Sequence, residues 1–179
     1  GGPITAGSTY HAARNKSHLY LSKLVGAFTS LYPVEGGHIL HNGGIPGTGP
    51  QYMEHCLDYH LPNTTNLVVV EYAVNLEGKV TSFERLLRRL IRLPTRPAVI
   101  VLNVHKWAAR RPSDRQVKCW RPDWPVDLRR DPSQWRVQSY SSALSEDEDA
   151  VAALCRHYNV PLLSMRSALV ESVLVGKIP

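Results

Sequence analysis

Asn66-Leu67-Val68-Val69-Val70-Glu71-Tyr72-Ala73-Val74-Asn75 decides how the rest of the chain is read. Leu67 to Val70 form an unbroken apolar run rich in β-branched residues. Such a run suits a strand buried on both faces, as in a parallel sheet. Asn75 is expected where that strand ends, and open α/β sheets gather their working residues beyond the carboxyl ends of the strands. A helical period follows over Ser82–Arg92, then a second apolar strand over Ala98–Asn103. The centre of the chain therefore reads as one βαβ unit with a polar side chain at its rim.

Outward from that unit, helix and strand patterns alternate. Residues 1–10 are small and polar and read as a loop. A helical period runs from about Ala12 to Leu31 through Tyr20, Leu21, Leu24, Val25 and Phe28, and Pro33 with Gly36-Gly37 stops it. His38–His41 reads as a short strand. A glycine-rich loop, Asn42 to Pro50, enters a helix over Gln51–Tyr59, with Pro50 suited to the first turn. Thr81-Ser82-Phe83-Glu84 and Ser145-Glu146-Asp147-Glu148 both read as capping boxes opening helices. Val160–Ser164 is a last short strand and Arg166–Val175 a last helix. The order predicts a three-layer α/β/α sandwich with a parallel sheet, in a single domain over residues 1–179. Residues 106–140 carry all four tryptophans and many arginines without a clear period, and read as an inserted functional loop or lid.

Composition narrows the function classes. The chain of 179 residues is 43% hydrophobic and 20% charged, with a formal charge of +6. That is globular composition with a basic surface, the basic residues clustering between Arg85 and Arg136. No apolar run is long enough to span a membrane. Cys56, Cys119 and Cys155 form neither a disulfide framework nor a metal motif, so free thiols are expected. His38 and His41 on a strand point to opposite faces, and His55 and His60 lack the helical i, i+4 spacing of a metal pair. No metal or cofactor is expected. The loop Gly44-Ile45-Pro46-Gly47-Thr48-Gly49-Pro50-Gln51 lacks the Lys and the Ser/Thr of a nucleotide-binding loop. It keeps free backbone N–H groups before a helix, which suit an anion or an oxyanion. The compartment is undetermined.

GGPITAG, HNGGIPGTGPQYMEHCLDYHLP, NLVVVEYAVN, FERLLRRLIRLP and PAVIVLN occur here in order. In that order and spacing the chain resembles the SGNH, or GDSL-like, serine esterases, of the plant and algal branch; YNVPLLSMRSAL fits as well. The resemblance covers nearly all of the chain except the Trp-rich loop. It implies acyl-ester or carbohydrate-ester hydrolysis through a serine acyl-enzyme. It gives the oxyanion-hole positions to Gly47 and Asn75, with a late Asp-x-x-His as base and orienting carboxylate. The substrates implied are a small ester or an acylated carbohydrate.

The departures from that pattern concern the chemistry itself. The serine position is Pro3, which has neither a hydroxyl to attack with nor an N–H to donate. Leu76 replaces the aspartate that follows the asparagine, Pro50 replaces a serine, and no Asp-x-x-His follows Ser164. The family's first strand, which lies between its second and third, has no counterpart. The expectation is therefore a truncated or inactive member, incomplete at both ends. The alternative is a non-catalytic binding protein. In it Trp107, Trp120 and Trp124 would offer stacking surfaces, and Arg110 and Arg111 charge, to a carbohydrate or an anionic polysaccharide. Nucleic acid is the less favoured polyanion, because no recognised motif accompanies the charge.

Overall fold

A computed structural model of the chain describes residues 1, 3–7, 19–104, 108–109, 118–119 and 142–174. Helix α1 is a single turn, Pro3–Ala6, and α2 spans Tyr20–Leu31. Helix α3, Pro50–His60, precedes strand β1, Leu67–Val70. A 3₁₀ turn, Ala73–Asn75, leads to α4, Val80–Ile91, and β2, Ala98–Asn103. Two short strands follow, β3 at Ala108–Ala109 and β4 at Lys118–Cys119. Helix α5, Ser142–His157, strand β5, Leu162–Ser164, and α6, Met165–Leu174, complete the order.

Strands β1, β2 and β5 form one parallel sheet in that order, while β3 and β4 pair antiparallel. The expected α/β class and parallel sheet are present. The β1–β2 register sets Val68 beside Val99 and Val70 beside Val101, so these four share one face. Phe83, Leu86, Leu87 and Leu90 of α4, with Val151 and Cys155 of α5, close the core over that face. Their spacing along α4 is that of one helical stripe. Burying each of these large side chains is worth about 1.5–3 kcal/mol. The opposite face is less covered: Ile100 and Leu102 are half-buried, and Leu163 is exposed.

Several expectations are corrected. β1 stops at Val70, and Asn75 closes the 3₁₀ turn beyond it instead of ending the strand. His38–His41 is not a strand, since no described strand lies beside it to pair with. Thr81 does not cap α4: the helix starts at Val80, with Lys79 at the cap and no side-chain cap bond. Ser145 is likewise internal to α5, which begins at Ser142. The acids Asp147 and Glu148 are instead buried in pairings with other elements. The helix expected from Ala12 is seen from Tyr20 onward, and residues 8–18 lie outside the described ones.

Candidate functional site at the carboxyl end of the first strand

Three segments meet just past Val70. The first is α1, held against the chain immediately after β1. Thr5 donates its hydroxyl hydrogen to Glu71 Oε2 at 2.8 Å, and Tyr20 Oη lies 3.0 Å from the same Thr5 oxygen. Glu71 is fully buried and its other oxygen, Oε1, has no hydrogen-bond partner. A buried carboxylate is costly unless hydrogen-bonded, so the Thr5 contact fixes where α1 can sit. Burial is also the main reason the Tyr20 phenol is raised, with the Thr5 bond working against it and the Glu71 charge adding to it.

The second segment is the loop before α3, and it is tied to α1 along its length. Asn42 Nδ2 donates to Thr5 O at 2.9 Å, and Asn42 Oδ1 receives the Gly44 N–H at 3.0 Å. Ile45 N–H donates to Gly1 O at 3.0 Å, and Thr48 closes the turn by donating to Ile45 O at 2.9 Å. Gly44 has to be glycine here. A Cβ at that position would lie 2.7 Å from Ala6 N and 3.0 Å from Thr5 C, both backbone atoms. Gly47 sits at the tip with φ +73, a left-handed conformation that glycine adopts freely, and open space surrounds it.

The third segment is the Asn75 turn. Asn75 N–H donates to Tyr72 O at 2.9 Å, and Asn75 Oδ1 is buried with no partner. The loop reaches this turn through Gly49, where a Cβ would lie 3.0 Å from Asn75 O. Gly47 and Asn75 thus belong to neighbouring segments on one rim of the sheet, with Gly49 as the point of contact. Leu76, at the position where the resemblance expects an aspartate, is fully buried in the core. Burial pushes the Tyr72 phenol up to about 12, so it stays protonated beneath the site at any ordinary pH.

Thr5, Tyr20, Glu71 and Asp147 were not among the expected site residues. Each acts through a partner distant in sequence, 66 residues apart for Thr5 and Glu71 and 69 for Gly78 and Asp147, and no local pattern announces such pairs. Asn103 at the carboxyl end of β2 was missed in the same way; it is 1% exposed and neither amide atom has a partner. Pro3 begins α1. Trp107, Trp120, Trp124, Arg110 and Arg111 lie outside the described residues.

Two of the described histidines take ordinary hydrogen-bond partners. His38 Nε2 lies 2.8 Å from Tyr32 O, and His60 Nε2 lies 2.9 Å from Tyr52 Oη. Among the described residues no group of three His, Cys, Asp or Glu side chains could hold a metal ion. No helix among them is long and apolar enough to cross a membrane.

The fold is that of known esterase and lipase-like structures. A two-domain esterase active on acetylated mannans, solved with mannopentaose, superposes with a TM-score of 0.68 at 21% identity, over 99% of this chain and 39% of that one. A second crystal structure of a two-domain esterase active on acetylated mannans gives 0.65 at 21% identity, over 99% of this chain and 38% of that one. A possible lipase from Chitinophaga pinensis gives 0.57 at 13% identity, over 92% of this chain and 65% of that one. The chain therefore spans about two-fifths of the length of the acetylmannan esterase. No protein-family model matches the sequence, and no curated protein matches it.

Proposed function

We propose that the chain is an ester-hydrolase scaffold of SGNH type whose rim site binds an acyl ester of a carbohydrate without serine-based turnover. The observation that carries this is the meeting of α1, the Gly44–Gly49 loop and the Asn75 turn at one strand end, with proline in place of serine at the head of α1. In this reading the Gly47 N–H and the Asn75 carboxamide face the carbonyl oxygen of the bound ester. Donors held in place before negative charge develops are the main source of stabilisation in acyl transfer. Asn75 Oδ1 being buried without a partner supports a side chain turned inward at the rim and not spread over the surface. An acylated carbohydrate is the favoured ligand class, because a structural neighbour acts on acetylated mannans.

Position 3 separates binding from turnover. Proline offers no nucleophile and no N–H, so two contributions to acyl transfer are lost together. What is left is the modest residual catalysis of donors and binding alone. The test is hydrolysis of p-nitrophenyl acetate with and without a serine-directed phosphonate. No phosphonate-sensitive turnover is expected. Turnover abolished by the phosphonate, with a labelled serine elsewhere in the chain, would overturn the reading.

A further inference from the structure

Helix α4 turns opposite faces to the core and to solvent. Phe83, Leu86, Leu87 and Leu90 are buried. Successive residues of a helix turn by about 100°, so Arg85, Arg88, Arg89 and Arg92 fall within about 100° of one another. That basic stripe lies almost diametrically opposite the apolar one. Arg85, Arg88 and Arg92 are exposed and Arg89 is partly so. Arg96, four residues beyond Arg92, is exposed as well.

The two edges of the stripe differ. Arg85 Nη1 donates to Glu54 Oε1 at 3.1 Å, and Arg89 Nη2 donates to both oxygens of Asp58 at 3.1 and 3.0 Å. Helix α3 thus takes up those two guanidiniums. Arg88 and Arg92 act electrostatically on Tyr158, whose hydroxyl already donates to the nearby acid Glu84 at 2.5 Å. Among the described residues no ion pair is seen for Arg88, Arg92 or Arg96. A helix C-terminus favours cations in its last turn, which accounts for Arg88 and Arg89. It does not account for a row that begins at Arg85 and continues past the helix end at Arg96.

The spacing of the row selects its occupant. Helical turns are about 5.4 Å apart, so a guanidinium recurs at about that pitch. A polymer with one carboxylate per monomer suits it better than duplex nucleic acid, which carries a charge about every 1.7 Å. The guanidinium fork matches a carboxylate, as Arg89 on Asp58 already shows. The apolar side chains of α4 face the core and leave none in the stripe to enter a lipid surface. On α3, Tyr59 directly follows Asp58 and is 89% exposed, offering a ring face beside the charges.

We propose that the outer face of α4, through Arg88, Arg92 and Arg96, binds an acidic polysaccharide whose sugars carry carboxylates. This surface is separate from the Gly47–Asn75 rim. It does not depend on the ester-binding reading, and Asn75→Ala should leave it unchanged.

The test measures binding of polygalacturonate to the native chain at low salt by isothermal calorimetry. Arg88→Gln/Arg92→Gln is expected to weaken binding roughly tenfold, about 1.4 kcal/mol. Both positions are exposed, and an unchanged Tm confirms that the variant folds. Arg110→Gln/Arg111→Gln should bind as the native chain does. Raising salt from about 20 mM to about 200 mM should weaken native binding, because exposed charges are screened. Absence of binding at low salt overturns the proposal, as does equal binding by Arg88→Gln/Arg92→Gln. So does loss of binding in Arg110→Gln/Arg111→Gln, which would move the interaction to another part of the chain. Duplex DNA or phosphatidylserine vesicles bound as tightly as polygalacturonate would also overturn it, since the face would then not distinguish among anions.

Discussion

The carboxylate of Asp147 on α5 receives the backbone N–H of Gly78 through both oxygens, at 3.1 and 3.3 Å. Gly78 lies three residues beyond Asn75, so a helix from the far end of the chain holds the loop that carries the rim site. Asp147 is itself buried. Asp147→Ala is expected to cost about 0.5–1.5 kcal/mol, the net worth of a hydrogen bond, because Gly78 is exposed and its freed N–H can turn to water. Asp147→Asn, which keeps an acceptor, should cost less. Urea unfolding with amide exchange at Gly78 measures both effects.

Thr5 and Glu71 give a second such dependence. Thr5→Val removes the only hydrogen bond to a side-chain oxygen of Glu71 seen among the described residues. It should destabilise by about 1–3 kcal/mol and loosen α1. Glu71→Gln should be milder, since a neutral amide is less costly to bury than an underbonded carboxylate. Thermal melts of the two variants should rank them in that order.

Gly44→Ala tests whether α1 and the loop are close-packed. Its methyl would meet Ala6 N at 2.7 Å and Thr5 C at 3.0 Å, and backbone atoms yield little. Overpacking of this kind costs about 1–3 kcal/mol. Gly26→Ala meets nothing within 4 Å and lies inside α2, so it should be neutral or slightly stabilising. Parallel denaturation curves separate the two.

Much of the scaffold was readable in advance, and for a physical reason. Leu67–Val70 and Ala98–Asn103 are β-branched runs covered by α4 and α5 on one face, and burial enforces their pattern. The His38–His41 expectation failed because a short apolar pair between turn signals makes no strand without a partner to bond to. Thr81–Glu84 misled because the local capping pattern yields to tertiary contacts: Ser82 and Arg85 are drawn to Glu54 on α3. The rim positions could be picked out from strand ends and glycines. The buried pairings that support them, Thr5 with Glu71 and Asp147 with Gly78, join distant residues and leave no local trace.

Glu54 makes stability depend on pH. Burial on its own would raise the carboxyl, but hydrogen bonds from Arg85 and Ser82 and the charges of Arg85 and His55 hold it below its ordinary value of 4.5. A folded-state value below the unfolded one stabilises fully above about 4.5 and loses that contribution as pH falls through the lower folded value. The urea midpoint should therefore fall on acidification from about pH 6 to about pH 3, and less steeply in Arg85→Ala. Arg85 is largely exposed, which keeps the difference modest.

Cys155 should resist labelling in the folded protein. Burial pushes its thiol up to about 11, with Arg156 offsetting a little. Only about a thousandth of it is thiolate near pH 8, and the thiolate is the reactive form. Ellman's reagent should reach Cys155 only on unfolding. Rapid reaction at Cys155 in the native state would show that the α5 core opens readily.

The most direct measurement is a nuclear magnetic resonance titration of the native chain with acetylated manno-oligosaccharide. The expected result is saturable shifts at the Gly47 and Asn75 amides and at the Asn75 side-chain amide, lost in Asn75→Ala with the fold intact. Shifts confined to other surfaces, or equal shifts in Asn75→Ala, would contradict an ester-binding site at the carboxyl end of β1.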